Sequence, residues 1–169
     1  EQTLTMQIQR AEREQLHSRM LADGVAYLRL PSFPTGVASR VKAELTALQA
    51  QGMKALVLDM RNNPGGSTQD AAAILNFFIK QGKLYTAEFK GGQQRTVRAD
   101  GSAFLPDLPL TVLVDGGSFS STELIAAALH DHQRATILGS TTGGKGTIQD
   151  TIPLDDHALL HLTIAKWLS

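Results

Sequence analysis

Apolar positions along the chain fall into short blocks of two kinds, spaced like strands or like helices. Leu4, Met6 and Ile8 alternate with Thr5, Gln7 and Gln9, which predicts a strand with one apolar face; residues 10–19 are polar, of mixed charge, and carry no assignable period. Residues 24–30 (GVAYLRL) form the next predicted strand, closed by Pro31-Ser-Phe-Pro34. A helix follows over about 36–51, with Val37, Val41, Leu45 and Leu48 on one face and Gly52 as its stop. The run ALVLD at 55–59 is continuously apolar before its aspartate, as in a strand buried on both faces. Residues 67–78 predict an amphipathic helix through Ala71, Ile74, Leu75 and Phe78, and 83–97 a polar hairpin around Gly91-Gly92. After a loop over 100–109, the strand 110–114 stops at Asp115-Gly116-Gly117, and Leu124, Ile125, Ala128 and Leu129 then mark a helix. Strands over 135–138, 147–153 and 158–164 complete the pattern, the last two separated by Asp155-Asp156. Strands alternating with helices make the class α/β.

Composition narrows the picture. The chain has 169 residues, enough for one domain with a real core. Sixteen basic and sixteen acidic residues give no net charge, so nothing in the overall electrostatics argues for a nucleic-acid partner. The absence of cysteine excludes disulfides, thiol catalysis and thiolate-bound metals in this chain. No apolar run approaches the roughly 20 residues of a membrane span. Glu1 without a preceding Met suggests a processed or trimmed chain.

The candidate chemistry lies between 115 and 149. Ser120-Ser-Thr-Glu123 fits a capping box, in which serine caps the helix and glutamate reaches back. The same place favours an oxyanion, because free N–H groups and the helix dipole meet there. Residues 139–145 match the start of a P-loop, but Gly146 stands where Ser or Thr should hold magnesium, and a strand pattern follows instead of a helix, so nucleotide binding is rejected. Taken alone, then, the residues leave two readings for each position: Ser120 as a plain cap or a nucleophile, and Lys145 as an exposed turn lysine or its base. The five histidines form no metal set, and His130, Asp131 and His132, as helix neighbours, cannot all converge on Ser120 as a triad.

The run 117–149 resembles the core signature of the carboxyl-terminal processing proteases, the tail-specific serine peptidases of family S41. Their pattern G-S-A-S-A-S-E, then G-R-A, then G-x-x-T-x-G-K-G-x-x-Q is matched by GSFSSTE at 117–123, QRA at 133–135 and GSTTGGKGTIQ at 139–149. Phe119, Ser121 and Thr122 replace small residues, Gly143 replaces an aromatic, and no reacting group is lost. A second run, DMRNNPGG at 59–66, resembles the family's D-x-R-N-N-P-G-G; here Pro64 fixes φ, while Gly65 and Gly66 permit a turn that aims a free N–H into a cleft.

The resemblance spans about 24–167 and implies a ClpP/crotonase-like core of repeated β-β-α units. It implies Ser120 as nucleophile, Lys145 as general base and Gln149 as its assistant, with the Gly66 and Ser121 amides as oxyanion donors. Asp59 and Arg61 are expected to hold their loop by ion pairing. The implied reaction is endoproteolysis near protein C-termini through an acyl-enzyme, without cofactor or metal, in the cell envelope, periplasm or outside the cell. The partners are protein or peptide substrates with exposed C-termini, with no nucleic acid and with homo-oligomerisation left open. Residues 1–9 are expected to be the tail of a PDZ domain or a first core strand, and 10–169 the catalytic core, ending before the family's usual C-terminus. Two other classes remain open: a non-catalytic ligand-binding module on the same fold, and a crotonase-type acyl-CoA enzyme.

Overall fold

The computed structural model describes residues 15–155 and 158–169, so the strand expected over 1–9 lies outside the described residues. The elements in chain order are β1 (His17–Met20), β2 (Val25–Arg29), α1 (Val37–Ala50), β3 (Ala55–Asp59), α2 (Thr68–Phe78), β4 (Lys83–Phe89), β5 (Gln94–Arg98), β6 (Leu110–Val114), α3 (Ser121–Asp131), β7 (Thr136–Gly139), β8 (Thr147–Pro153) and β9 (Leu159–Leu168). The chain is thus α/β, with strands in two sheets: a five-stranded sheet ordered β1-β2-β3-β6-β7 and a four-stranded antiparallel one ordered β5-β4-β9-β8.

In the larger sheet β2, β3, β6 and β7 run parallel, and β1 closes the edge antiparallel to β2. Each step from one parallel strand to the next needs a crossover, and α1, α2 and α3 supply them. Register pairs Ala26 with Leu56 and Leu28 with Leu58, then Leu56 with Leu110 and Leu58 with Val112. All six are buried, so they form one continuous apolar face. Val41, Leu45 and Leu48 of α1, Ile74 and Leu75 of α2, and Leu124, Ile125 and Leu129 of α3 join them in a single core. The opposite face differs from the expectation for β3: Ala55 and Val57 are only half-buried, because the helices cover one face of the sheet. The unassigned stretch before residue 20 also contributes an element, since β1 pairs Ser18 with Leu28 and Met20 with Ala26.

Parallel strands have a functional consequence. The loops after β2, β3, β6 and β7 all leave from the carboxyl edge of the sheet, the edge where open α/β sheets build ligand sites. Those four loops contain Pro31–Pro34, the DMRNNPGG turn, Ser118–Ser120 and Gly143–Lys145. Among the described residues no helix is long and apolar enough to cross a membrane.

Candidate functional site

The loop after β3 is built around two buried polar residues. Asp59 closes the strand and accepts hydrogen bonds from Arg61 Nε (3.0 Å), Arg61 Nη2 (2.7 Å) and the Tyr27 hydroxyl (2.7 Å), as the expected ion pair requires. Burial pushes the Asp59 carboxyl up, but the bonds from Arg61 and Tyr27 outweigh it and hold the group at about 2, below its ordinary 3.8. A lowered carboxyl contributes stability above its unfolded value and loses it as pH falls toward the folded one. Asp59→Asn is therefore expected to destabilise the fold by about 2 kcal/mol at pH 7. That difference should shrink as pH falls from about 4 to about 2. Thermal unfolding of both proteins across this range checks it; an undiminished difference at pH 2 would overturn the linkage.

Asn63, fully buried, ties three loops together. Its Nδ2 donates to the Leu30 carbonyl (2.7 Å), its Oδ1 accepts the Gly65 N–H (2.9 Å), and its own carbonyl accepts the Phe119 N–H (2.9 Å) and the Thr122 hydroxyl (3.0 Å). From the other side Ser118 donates its hydroxyl to the Met60 carbonyl (2.9 Å), and Asp115 accepts the Asn62 N–H (2.8 Å). The glycine turn and the serine turn are thereby clamped face to face.

Gly65 is where they touch. It sits at φ 91°, and a Cβ there would meet the Phe119 carbonyl oxygen at 2.7 Å, Ser120 Cβ at 2.8 Å and the Ser121 nitrogen at 3.0 Å. No other residue fits between the two turns. The next residue, Gly66, takes the Ser121 hydroxyl on its carbonyl (2.8 Å). Ser121 opens α3, so its N–H has no partner within the helix. Among the described residues neither the Gly66 nor the Ser121 N–H donates to another protein group.

Ser120 stands at the head of α3 with φ 54° and ψ −117°, a region a non-glycine residue occupies only under strain. Such a strand-turn-helix corner lifts a serine hydroxyl clear of the helix it precedes. Ser120 lines a cleft of about 320 Å³ together with Gly66, Ser67, Thr147, Ile148 and Gln149. The Gln149 amide donates to the Thr147 (2.7 Å) and Thr163 (3.3 Å) hydroxyls.

The structure thus brings Gly66, Ser120 and Gln149 to one cleft, with Ser121 directly behind. It does not bring the Lys145 side chain there. Lys145 is exposed, outside the residues that line the cleft, and among the described residues its amine has no hydrogen bond or ion pair. Its backbone is nevertheless anchored to the serine corner. Buried Glu123 accepts the Ser120 N–H (2.7 Å) and the Lys145 N–H (2.8 Å) on one oxygen, and the Gly144 N–H (2.7 Å) on the other. Glu123 is the residue the sequence reading undervalued. The capping-box spacing announced its bond to Ser120, but nothing in the sequence announced its reach of 22 residues to the lysine turn. His130 and His132 lie at the opposite end of α3, roughly 15 Å from its head by helical rise, so no histidine of that helix meets Ser120. Among the described residues no group of three His, Asp or Glu could hold a metal ion.

Comparison with known proteins gives a consistent result. The family model described as peptidase family S41 matches residues 24–169. The chain is 34% identical over 157 residues to the carboxy-terminal processing protease CtpA of Bacillus subtilis, covering 92% of this chain and 34% of that protein. It is 37% identical over 153 residues to the carboxyl-terminal-processing protease of Synechocystis, covering 90% and 36%. Among solved structures, the photosystem II D1 C-terminal processing protease superposes with a TM-score of 0.78 at 29% identity, covering 92% of this chain and 43% of that one. A lipoprotein from Streptococcus agalactiae shares the fold, with a TM-score of 0.69 at 21% identity. The chain spans about a third of the length of the curated relatives it matches.

Proposed function

Because this chain belongs to peptidase family S41, we propose that it carries the catalytic centre of a serine endopeptidase that cleaves protein substrates near their C-termini. The observation that carries the reading is the strained Ser120 corner, held against a glycine turn whose Gly66 N–H, like that of Ser121, has no partner among the described residues. In this reaction Ser120 Oγ attacks the scissile carbonyl while its proton passes to the neutral Lys145 amine. The developing oxyanion takes the Gly66 and Ser121 N–H groups, which are fixed before substrate arrives and cost no reorganisation. The protonated amine then gives its proton to the leaving nitrogen, and water, deprotonated by the same lysine, releases the acyl group from Ser120.

The lysine turn is tied to the serine corner through Glu123, and in the proposed reaction the Lys145 side chain turns inward from solvent toward Ser120. Gln149, in the cleft beside Ser120, is read as the group that receives and orients that amine. Residues 10–169 are read as the catalytic core, with the envelope or extracellular setting the family implies. A ligand-binding module or a crotonase-type enzyme on this fold has no use for a reactive serine. An activated phosphonate ester should therefore label the wild-type chain at Ser120, as read by peptide mass mapping. Ser120→Ala should abolish labelling and cleavage of an unstructured protein with an apolar C-terminus while the fold survives, because the Glu123 bond to the residue-120 N–H is kept. Labelling that persists in Ser120→Ala would sink the assignment.

A further inference from the structure

Gly143 follows a different logic from the glycines around it. Its backbone is outside the left-handed region, whereas Gly144 lies at φ 81°, so conformation alone does not demand glycine at 143. What excludes a side chain there is an aromatic ring: a Cβ built on Gly143 would fall within the ring of Phe119, against Cδ1, Cε1 and Cζ. Phe119 precedes the proposed nucleophile by one residue and Gly143 precedes the proposed base by two. The two departures from the family motif noted above, a large residue at 119 and none at 143, are one exchange of volume across the gap between the turns.

We propose that Phe119 is a positioning residue for the reaction, its ring over Gly143 setting how the lysine turn docks on the serine corner. Backbone bonds already tie the turns, from Gly143 N–H to the Ser118 carbonyl (3.0 Å) and from Gly144 and Lys145 to Glu123. Hydrogen bonds fix which groups meet, but at an exposed edge they exchange with water at little net cost. The ring adds what they lack, a wall of fixed thickness that stops the turn from sliding inward or lifting off. Because the wall belongs to the residue bonded to Ser120, any shift of the corner is passed to the lysine turn, and the reverse. The kinetic consequence rests on the Ser120–Lys145 reading, while the docking itself does not.

The chain contains its own reporter for the docking. Trp167, its single tryptophan, donates its indole N–H to the Lys145 carbonyl (3.2 Å) and its backbone N–H to the Gly146 carbonyl (3.0 Å). Phe119→Ala should loosen the turn, raising acrylamide quenching of Trp167 about two-fold and lowering kcat about 10-fold, with KM changed less than about two-fold. Gly143→Ala, which adds only the offending Cβ, should disturb Trp167 in the same assay. The double variant F119A/G143F, which returns the volume from the other side, should bring quenching and kcat back to within about three-fold of the parent. Circular dichroism confirms that each variant is folded, and a variant that fails to fold leaves Gly143→Ala and the double variant to decide. Unchanged Trp167 quenching in both single variants, or a double variant no better than Phe119→Ala, overturns the proposal. A parent chain without turnover, but with the expected Trp167 responses, counts against the protease reading and leaves the docking standing.

Discussion

Lys145→Arg should be as inactive as Lys145→Ala, each losing about 10⁴-fold in kcat against an unstructured protein substrate, near the level left by removing a reacting group. Arginine keeps the positive charge and nearly the length of lysine, and it would occupy the same exposed turn without strain. What it cannot do is give up its proton at any pH where the protein is folded. The pair of variants therefore separates two roles for position 145. A base must be neutral when Ser120 attacks, so arginine fails; a fixed cation that merely favours an anionic intermediate is served equally well by arginine. Stability should hardly move in either variant, because the amine has no hydrogen bond or ion pair among the described residues. Substantial turnover in Lys145→Arg would show that position 145 supplies charge, and the proton acceptor would have to be sought elsewhere in the cleft.

The sequence made the strands and helices legible because their periods are carried by burial against a single core. β3, β6 and β8 stand where the pattern put them, α1 and α2 differ from it by a residue at their ends, and α3 forms where Leu124, Ile125, Ala128 and Leu129 marked a helix. β1 was hidden because it is an edge strand: none of its residues is fully buried, so it has no apolar alternation to read. The expectation of two covered faces for β3 failed for a related reason. A continuous apolar run says that side chains are apolar, while the number of layers that cover them is decided by elements far away in sequence. The site was legible at the level of its parts. The glycine turn and the serine corner advertise themselves by residues whose backbone demands are unusual, and the structure does hold Gly66, Ser120 and Gln149 around one cleft. The lysine was legible as a residue but not as a position, since nothing local determines where a side chain on an exposed turn points. Contacts between the parts were the least visible: Asn63 bridging three loops, and Phe119 filling the space above Gly143, are properties of the assembled turns.

Replacing Glu123 tests whether that assembly matters as much as the reacting groups themselves. Its two oxygens face N–H donors only, from Ser120 and Lys145 on one and from Gly144 on the other. Glu123→Gln is nearly isosteric, yet whichever way its amide is turned, the NH₂ must face one of those donors. The variant thus keeps the contacts of one oxygen and converts those of the other into repulsions. Glu123→Ala removes both acceptor oxygens, and with them all three hydrogen bonds, and opens a void beneath the serine corner. The stability cost in either case is set by how far water can replace the lost bonds. Gly144 and Lys145 are exposed and can be rehydrated, but the Ser120 N–H is buried. One buried unsatisfied donor corresponds to about 1–3 kcal/mol, a loss the fold should survive. Activity should suffer far more, because the same carboxylate fixes the strained corner and holds the lysine turn beside it. A displacement on the order of 1 Å between two reacting groups costs about 10²-fold in rate, and both groups are released here. Glu123→Gln should therefore lose about 10²-fold or more in kcat while its melting temperature falls by only a few degrees. A variant that unfolds with full specific activity in its folded fraction would reduce Glu123 to a helix cap.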